Sequence, residues 1–352
     1  MQAAPHVGGV EVSMALEPLT RAELEQWWSQ VPGARRFLKT LGREAEKCRA
    51  TAIDIADESI DEFTAILADE VQRHNYSLVI ERLTLEATAT PDEFVTRLAE
   101  RFEPHYLPDL LSGSLMTDVA RKRILSGYVA LVEVHGRAAW LADVINDFNR
   151  VEDVSKGTVF FLTTELPTQF TMRLTDYITP YDVQFFAINL MESTRLSSTE
   201  KLYTATLTAK LAGTSPVPVK NLACAELYFD GRRLYEELMG DRYRRRTYER
   251  AVWETQIQFA LPIVETVREK LIARNLNGLK ALLPVADEFG KVLDDPWDME
   301  LRHLHYYGGN VKLFSQTDWD VLELVYRARN DLSHLDMIDR DRLEKIFALT
   351  DF

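Results

Sequence analysis

Several features that would assign this chain of 352 residues to a common functional class are missing or scarce. Its two cysteines, Cys48 and Cys224, lie far apart with no metal-ligand spacing, so we interpret both as reduced thiols. No apolar run approaches the roughly 20 residues of a membrane-spanning helix. The first residues lack the basic-then-apolar order of a signal peptide. These absences predict a cytoplasmic protein with no metal, no other cofactor and no membrane partner.

Basic residues are scarce relative to acidic ones, and the net charge is −14. Affinity for phosphate depends largely on Lys and Arg, so this balance argues against broad, nonspecific binding of nucleic acid. The acidic excess is uneven, because the chain from Asp241 onwards holds 17 basic and 20 acidic residues. We therefore expect any anion to bind in the C-terminal third.

The first half of the chain alternates short β-rich runs with amphipathic helical segments. Because the runs are apolar on both faces, the pattern predicts a mainly parallel sheet with helices on each side. Thr90, with Glu93 three residues later, predicts a helix start between two of the runs. The predicted strands are TAIDIA (51–56), YSLVIERLTL (76–85), GYVALVEVH (127–135), GTVFFLTTEL (157–166) and DVQFFAINL (182–190).

From about residue 191 only helical patterns follow. The predicted fold class is thus α/β plus all-α, with an α/β domain at 1–190, a helical linker at 191–243 and a helical bundle at 244–352. Within the last region, Pro262 is expected to kink or divide a long amphipathic helix.

The final helical pattern contains "YRARNDLSHLDMI" (326–338). Thr317 and Asp320 resemble a capping pair at its start. Arg329 and Asn330 lie off its apolar stripe, and His334 follows Arg329 by five residues, about 140° around an ideal helix. The Arg329 and His334 side chains therefore share a site only where the helix bends or ends, or where a second subunit completes it. A solvated or capping role is the alternative for these residues.

The segment "RNDLSH", within an all-helical frame over roughly residues 245 to 350, resembles the HEPN family (higher eukaryotes and prokaryotes nucleotide-binding). The mark of that family is Arg, a polar residue and then His four to six residues after the Arg. The matching positions here are Arg329, Asn330 and His334.

The resemblance implies a metal-independent ribonuclease that works as a homodimer, with two copies of the final helices forming one cleft. The RNA 2′-hydroxyl attacks its own adjacent phosphate, so the protein mainly orients it and stabilises charge. Arg329 would hold the scissile phosphate, His334 would transfer a proton, and Asn330 would orient one of the reacting groups. The implied setting is an effector in bacterial antiviral defence or a toxin-type system, with RNA and possibly other defence proteins as partners.

The same family contains members that have lost activity and act as dimerisation modules. Carboxylates also surround the motif, and their negative charge repels RNA at long range. The alternative function is therefore a non-catalytic, dimerising regulatory or assembly subunit of a defence complex. The carboxylates belong to Asp331, Asp336, Asp339 and Asp341.

Further candidates for RNA binding are Arg327, His303 and the arginines of "RYRRRTYER". His303 and His305 are two residues apart and do not share a helix face, so they form a poor metal pair, and a structural role is the alternative. Arg244, Arg245 and Arg246 would contact phosphates, with interleaved tyrosines for stacking. The alternative for these arginines is a solvated junction helix.

The N-terminal pattern resembles P-loop ATPases of the STAND or AAA type fused to effector domains. Glu133 stands where the second motif would be, and Thr163 and Thr164 stand on what would be the sensor strand. The phosphate-binding loop is missing, because no Gly-x-x-x-x-Gly-Lys-Ser/Thr occurs and "DESIDEF" follows the first strand. Its carboxylates would repel ATP. We therefore expect a degenerate, non-hydrolysing domain that senses or recruits a partner.

Overall fold

The computed structural model describes residues 17–351 apart from 56–59, 87–89, 110, 112, 137, 164–170, 225–226 and 287–289. The chain divides into two compact units. The sheet unit comprises residues 17–186 and 213–219, and the helical unit comprises residues 187–212 and 220–351. The presence of a parallel sheet with many helices confirms the predicted α/β and helical composition.

Five parallel strands form the sheet in the order β2-β3-β4-β1-β5. Its three inner strands are β1, β3 and β4, and most of their side chains are buried, as expected for a sheet covered on both faces. Four of the predicted strands are confirmed. The strands are β1 Ala50–Asp54, β2 Val79–Glu86, β3 Tyr128–His135, β4 Thr158–Leu162 and β5 Thr171–Arg173.

The prediction of a fifth strand at 182–190 is wrong, because this stretch belongs to a helix, Pro180–Leu190. Its buried residues Asp182, Val183, Phe186 and Ala187 follow the three-to-four spacing of a helix face. A short apolar run without clear alternation does not distinguish a strand from a buried helix. The fifth strand is β5 instead, which is short and only half-buried.

The helices of the sheet unit pack around a core of buried aliphatic and aromatic side chains from both the sheet and the helices. At the start of α4 the Thr90 and Glu93 side chains cap each other's backbone N–H groups, so the predicted helix start is confirmed. The helices are α1 Arg21–Gln30, α2 Pro32–Ala45, α3 Ile60–His74, α4 Pro91–Phe102, α5 Leu115–Arg121, α6 Leu141–Asn149 and α7 Pro180–Leu190.

The helical unit is built around α11, a helix of 30 residues against which α8, α14 and α15 pack. Pro262 lies inside α11 on its exposed side and does not divide it, so that part of the prediction is wrong. The unit also has two short antiparallel strands, β6 Val285–Ala286 and β7 Val292–Leu293. The helices are α8 Ser198–Leu211, α9 Pro216–Cys224, α10 Leu227–Met239, α11 Arg245–Arg274, α12 Leu276–Leu282, α13 Leu301–His303, α14 Gln316–Ser333 and α15 Arg340–Phe347.

A π-helical turn, Leu304–Gly308, continues α13 directly. The backbone around Gly308 and Gly309 lies so close to neighbouring rings that a Cβ at Gly309 would be 2.7 Å from Trp319, and one at Gly308 would overlap Phe314. Two successive glycines therefore let this segment pack flat against the start of α14. No described helix has the length and apolar character that crossing a membrane requires.

Candidate functional site

Helix α14 carries the predicted site, and its sequence explains how it is oriented. Its N-cap is Ser315, whose hydroxyl accepts a hydrogen bond from the Asp318 N–H at 3.1 Å. The predicted capping pair, Thr317 and Asp320, is therefore two residues too late. Leu322, Val325, Ala328 and Leu332 form the buried stripe, and the polar motif residues are left beside or beyond it.

The C-terminus of α14 is closed by a Schellman motif in which His334 is the C-cap. The Asp336 N–H donates to the Asp331 carbonyl at 2.9 Å, and the Leu335 N–H donates to the Leu332 carbonyl at 3.4 Å. Leu335 occupies the left-handed position with a φ of 64°, where glycine is the usual residue. The helix thus ends at Ser333, directly before the histidine, and the His334 side chain is exposed.

Two side chains of α11 form hydrogen bonds with the backbone of the connection between α14 and α15. The Trp253 indole N–H donates to the Leu332 carbonyl at 2.9 Å. Gln256 is buried, and its amide accepts from the Ile338 N–H at 2.8 Å and donates to the Ile338 carbonyl at 2.9 Å. The backbone on both sides of His334 is therefore hydrogen-bonded to one helix. Sequence reasoning missed Trp253 and Gln256, because they act from about 80 positions away and match no local pattern.

Arg329 and Asn330 lie one turn before the end of α14. The Arg329 guanidinium is 42% exposed and lies 3.8 Å from the Glu300 carboxylate, a distance that makes this a loose ion pair. Among the described residues, the Asn330 and His334 side chains have no hydrogen-bond or ion-pair partner. Two polar side chains without a structural task and one weakly engaged cation therefore remain available for a ligand.

Carboxylates surround His334, and one arginine engages two of them. Arg342 pairs with Asp331 at 2.5 Å and also bonds Asp339, the N-cap of α15. Burial opposes ionisation of Asp339, but hydrogen bonds from the backbone and side chain of Arg342 outweigh it and lower the pKa of that carboxyl. Asp336 and Asp341 are exposed. The local negative charge is thus partly neutralised.

Arg327 lies on a different side of α14 from Arg329 and is engaged in a network. Its guanidinium bonds Glu323 at 2.5 and 2.7 Å. Glu323 also lies 2.6 Å from His305 Nε2, and the His305 ring stacks on Trp319 and Tyr326 with ring centroids 4.9 and 4.4 Å apart. Burial opposes ionisation of Glu323, but the His305 and Arg327 hydrogen bonds lower the pKa of its carboxyl. Arg327 is therefore not brought together with Arg329, although it lies two turns before His334 on nearly the same side of the helix.

His303 is buried, and its Nδ1 accepts a hydrogen bond from the Glu300 N–H at 3.1 Å. This bond caps the start of α13, so the His303 ring has a structural task. His305, which sequence reasoning did not select as a site residue, is the more exposed of the pair. The adjacent glycines were the only local sign of the close packing around it.

The arginines 244–246 lie at the start of α11, and two of the three have intramolecular partners. Arg244 donates to the carbonyls of Asp241 and Tyr243, and Arg245 pairs with Glu249 at 2.5 Å. Arg246 is exposed.

Helices α11 and α14 run antiparallel. The indole of Trp253 meets Leu332 near the end of α14, and Arg274 meets Asp318 near its start. Arg245 precedes Trp253 by eight residues, which is about 12 Å along the helix axis. The arginines at the start of α11 therefore lie at the same end of the helical unit as His334.

In the sheet unit, Glu133 of β3 is already bound by protein groups. Arg82 donates to it at 3.0 Å, and His135 lies 2.9 Å from its other oxygen. Thr163 follows β4, whereas Thr164 and residues 57–59 of "DESIDEF" lie outside the described residues. Within the described part of the chain, no group of three or more His, Cys, Asp or Glu side chains is arranged to hold a metal ion.

Comparison with known proteins assigns no family to the chain. No family model matches it, and no curated protein matches it. A chain of a solved structure described as "Structure of Drosophila ORC bound to DNA" is similar over 99% of this chain and 95% of its own length, at 12% identity and a TM-score of 0.33. A TM-score this low carries no argument about fold or function. The functional assignment therefore depends on the residues of α14 themselves.

Proposed function

We propose that this protein is a metal-independent endoribonuclease whose site combines Arg329, Asn330 and His334 from two copies of the chain. The observation that carries the proposal is the end of α14. There Trp253 and Gln256 bond the backbone on both sides of His334. The side chains of His334 and Asn330, in contrast, have no partner among the described residues. A fixed backbone beside an unengaged imidazole leaves the ring able to reach a reacting oxygen of a bound ligand.

The proposed chemistry needs no group beyond the chain and RNA. Arg329 exchanges its loose contact with Glu300 for the scissile phosphate, on which negative charge builds as the 2′-oxygen attacks. His334 transfers a proton to or from the reacting oxygens, and Asn330 orients the phosphate. The products are a 2′,3′-cyclic phosphate and a free 5′-hydroxyl, which balance the attack and the departure of the leaving oxygen.

A second copy is part of the proposal because the two key side chains point in different directions. Five residues separate Arg329 from His334, and α14 continues without a bend until it ends at Ser333. The two residues are thus about 140° apart on one helix. A cleft that receives Arg329 and His334 from both chains brings them to the same phosphate.

The experiment that tests the proposal is RNA cleavage with EDTA present. Mixed-sequence single-stranded RNA is incubated with the wild type and with Arg329→Ala, His334→Ala and Arg327→Ala. Arg327 is the matched control, because it is an arginine of the same helix that bonds Glu323. We expect at least 100-fold slower cleavage for the first two variants and little change for Arg327→Ala. Equal cleavage by the wild type and His334→Ala would remove the catalytic assignment.

Mixing the two inactive variants tests the shared cleft. If each cleft takes residues from both chains, mixtures of Arg329→Ala and His334→Ala recover part of the activity. Recovery at no mixing ratio, with dimers exchanging freely, would contradict a composite site.

A second candidate function is a non-catalytic dimerising subunit of a defence complex. The observation that favours it is the charge around the motif, where the Glu300 carboxylate lies 3.8 Å from Arg329 and the exposed Asp336 and Asp341 follow His334 along the chain. This function predicts a stable dimer that does not cleave RNA and a cellular phenotype that His334→Ala leaves intact. In either case we assign the sheet unit a sensing or recruiting role without ATP hydrolysis and place the protein in the bacterial cytoplasm.

A further inference from the structure

The two edges of the parallel sheet differ in length. The edge strand β5 has three residues, whereas the edge strand β2 has eight and pairs with β3 without interruption from Val79 to Glu86. Natural proteins usually protect a long edge with a proline, a lysine or a bulge, because its unpaired backbone groups can pair with another strand. The segment "VIERLTLE" has no proline and no lysine, and its register with β3 has no bulge. Its charged side chains, Glu81, Arg82 and Glu86, are of both signs, so they do not repel every incoming strand.

The pleat of β2 determines which backbone groups point away from the sheet. The Val79 N–H donates to the Gly127 carbonyl at 3.0 Å, so Val79 points its backbone groups towards β3. Alternate residues of a strand point in opposite directions, and Ile80, Arg82, Thr84 and Glu86 therefore direct their N–H and C=O groups outwards. Among the described residues, no strand pairs with this side of β2.

The side chains along this edge are complementary to themselves in one antiparallel register. When Thr84 lies opposite Thr84 of a second copy, Arg82 lies opposite Glu86 and Glu86 lies opposite Arg82. Opposite charges placed directly across two strands stabilise their pairing. The outward backbone groups of these three residues would form roughly six hydrogen bonds between the chains.

The other face of the sheet fits the same register. Leu83 and Leu85 are half-buried and pack against the core of the sheet unit. In this register Leu83 lies opposite Leu85 of the second copy, so the apolar layer continues from one chain into the next. A shift that centres the pairing on Arg82 places the two Arg82 side chains opposite each other, and like charges directly opposite destabilise a sheet.

Arg82 pairs with two carboxylates of its own chain and can bond a third. Its guanidinium bonds Glu133 at 3.0 Å and Asp61, so its orientation is fixed, yet 34% of the side chain remains exposed. A guanidinium has five N–H donors, and those not engaged by Glu133 and Asp61 can reach another acceptor. Glu86 is exposed and lies four residues further along the same face of the strand.

We propose that the β2 edge binds the β2 edge of a second copy of this chain, antiparallel and with Thr84 on the two-fold axis. The two sheets then form one continuous sheet of ten strands. This interface belongs to the sheet unit alone and does not depend on RNA cleavage.

Cysteine cross-linking tests the register. Thr84→Cys places a thiol opposite itself, with Cα atoms about 5.5 Å apart, within the range of roughly 4.4–6.8 Å that a disulfide spans. Glu86→Cys is the matched control on the same face, because its thiols would be about 13 Å apart along the strands. Mild oxidation should give a covalent dimer of Thr84→Cys. Glu86→Cys alone should remain at the background that the wild type, with its two native cysteines, defines.

A mixture of Arg82→Cys and Glu86→Cys completes the test, because these positions lie opposite each other and should give a heterodimer that neither variant forms alone. Thermal unfolding of each variant checks that it is folded. Equal cross-linking of Thr84→Cys and Glu86→Cys, or none by Thr84→Cys, overturns the proposal. Cross-links from position 84 to other proteins in a lysate, without the self-dimer, also overturn it and identify a foreign strand as the occupant.

A charge reversal gives an independent measurement without oxidation. Glu86→Arg places an arginine opposite Arg82 of the second copy, so sedimentation at low salt should show the assembly that depends on this edge weakened by about tenfold or more, while a dimer formed through α14 remains. Glu81→Arg is not suitable as a control, because Glu81 is half-buried and its carboxylate lies 3.6 Å from Arg101. Glu46→Arg, an exposed change at the end of α2, should have no effect. Equal association of the wild type and Glu86→Arg contradicts the charged register.

Discussion

His303 and His305 lie on the short segment before α14, and His334 lies at the end of α14 itself. In the first segment the rings are engaged, since His303 caps α13 and His305 stacks between Trp319 and Tyr326 while bonding Glu323. At the end of α14 the backbone is engaged instead, and the His334 ring is exposed. The difference separates histidines that stabilise the fold from one that is positioned and chemically available.

The largest loss of stability should come from adding a side chain at Gly308, in the packed segment that holds His303 and His305. In Gly308→Ala the new Cβ would overlap the Phe314 ring, so we expect a loss of about 2–3 kcal/mol in the free energy of unfolding. Chemical denaturation measures it. Gly278→Ala is the control, because its Cβ meets only the end of the flexible Leu313 side chain. Similar losses in the two variants would show that the ring does not constrain this turn.

Truncating His303 and His334 in turn tests whether the first stabilises the fold and the second does not. His303→Ala removes a buried helix cap and should cost about 1–2 kcal/mol of folding free energy. His334→Ala should change it by less than about 0.5 kcal/mol, because the exposed ring makes no bond among the described residues. Thermal unfolding of both variants at one pH gives the answer. A larger loss for His334→Ala than for His303→Ala would reverse the assignment of roles.

A gain in stability is expected at Leu335. Leucine in the left-handed conformation costs about 1–2 kcal/mol, and Leu335→Gly removes that cost but adds backbone entropy to the unfolded chain. The side chain is 70% exposed, so little burial is lost, and the net gain should be about 0.5 kcal/mol. Lys312→Gly, at a φ of 52°, is the matched control and should give a similar gain. A fall in the melting temperature of Leu335→Gly would mean that its side chain stabilises the fold.

The smallest expected effect is on how the stability of the protein depends on pH. Because the folded pKa of Glu323 is lowered, its contribution is present near neutral pH and is lost as the pH falls below the ordinary range of a glutamate. Glu323→Gln should therefore flatten the fall in the free energy of unfolding between about pH 5 and pH 3, by about 0.5 kcal/mol or less. An unchanged pH profile would mean that the bonds from His305 and Arg327 contribute nothing to stability.

Four strands of the sheet and the start of α4 could be predicted because each depends on local signals, namely apolar runs and the Thr90 capping box. The stretch at 182–190 could not, since a short apolar run fits a buried helix as well as a strand. Pro262 was expected to interrupt α11, but it lies on the exposed side, where a lost backbone hydrogen bond is replaced by water.

The site was predicted less completely than the fold. The position of Arg329 and Asn330 off the apolar stripe of α14 follows from the sequence, whereas the end of the helix before His334 was one of three alternatives there. The start of that helix was placed at Thr317 rather than Ser315, because serine, threonine and aspartate all occur there and each can cap. The Schellman turn could not be predicted, since Leu335 is not a residue that marks a left-handed position.

Gln256 has a consequence for how this protein can vary. A carboxylate in its place could accept from Ile338 but not donate, a lysine could donate but not accept, and leucine would leave both backbone groups of Ile338 without a partner. Among unbranched side chains of similar length, only a primary amide carries a donor and an acceptor on one terminal group, and asparagine is one methylene shorter. We therefore expect relatives that keep the histidine at the end of α14 to keep glutamine at this distant position too.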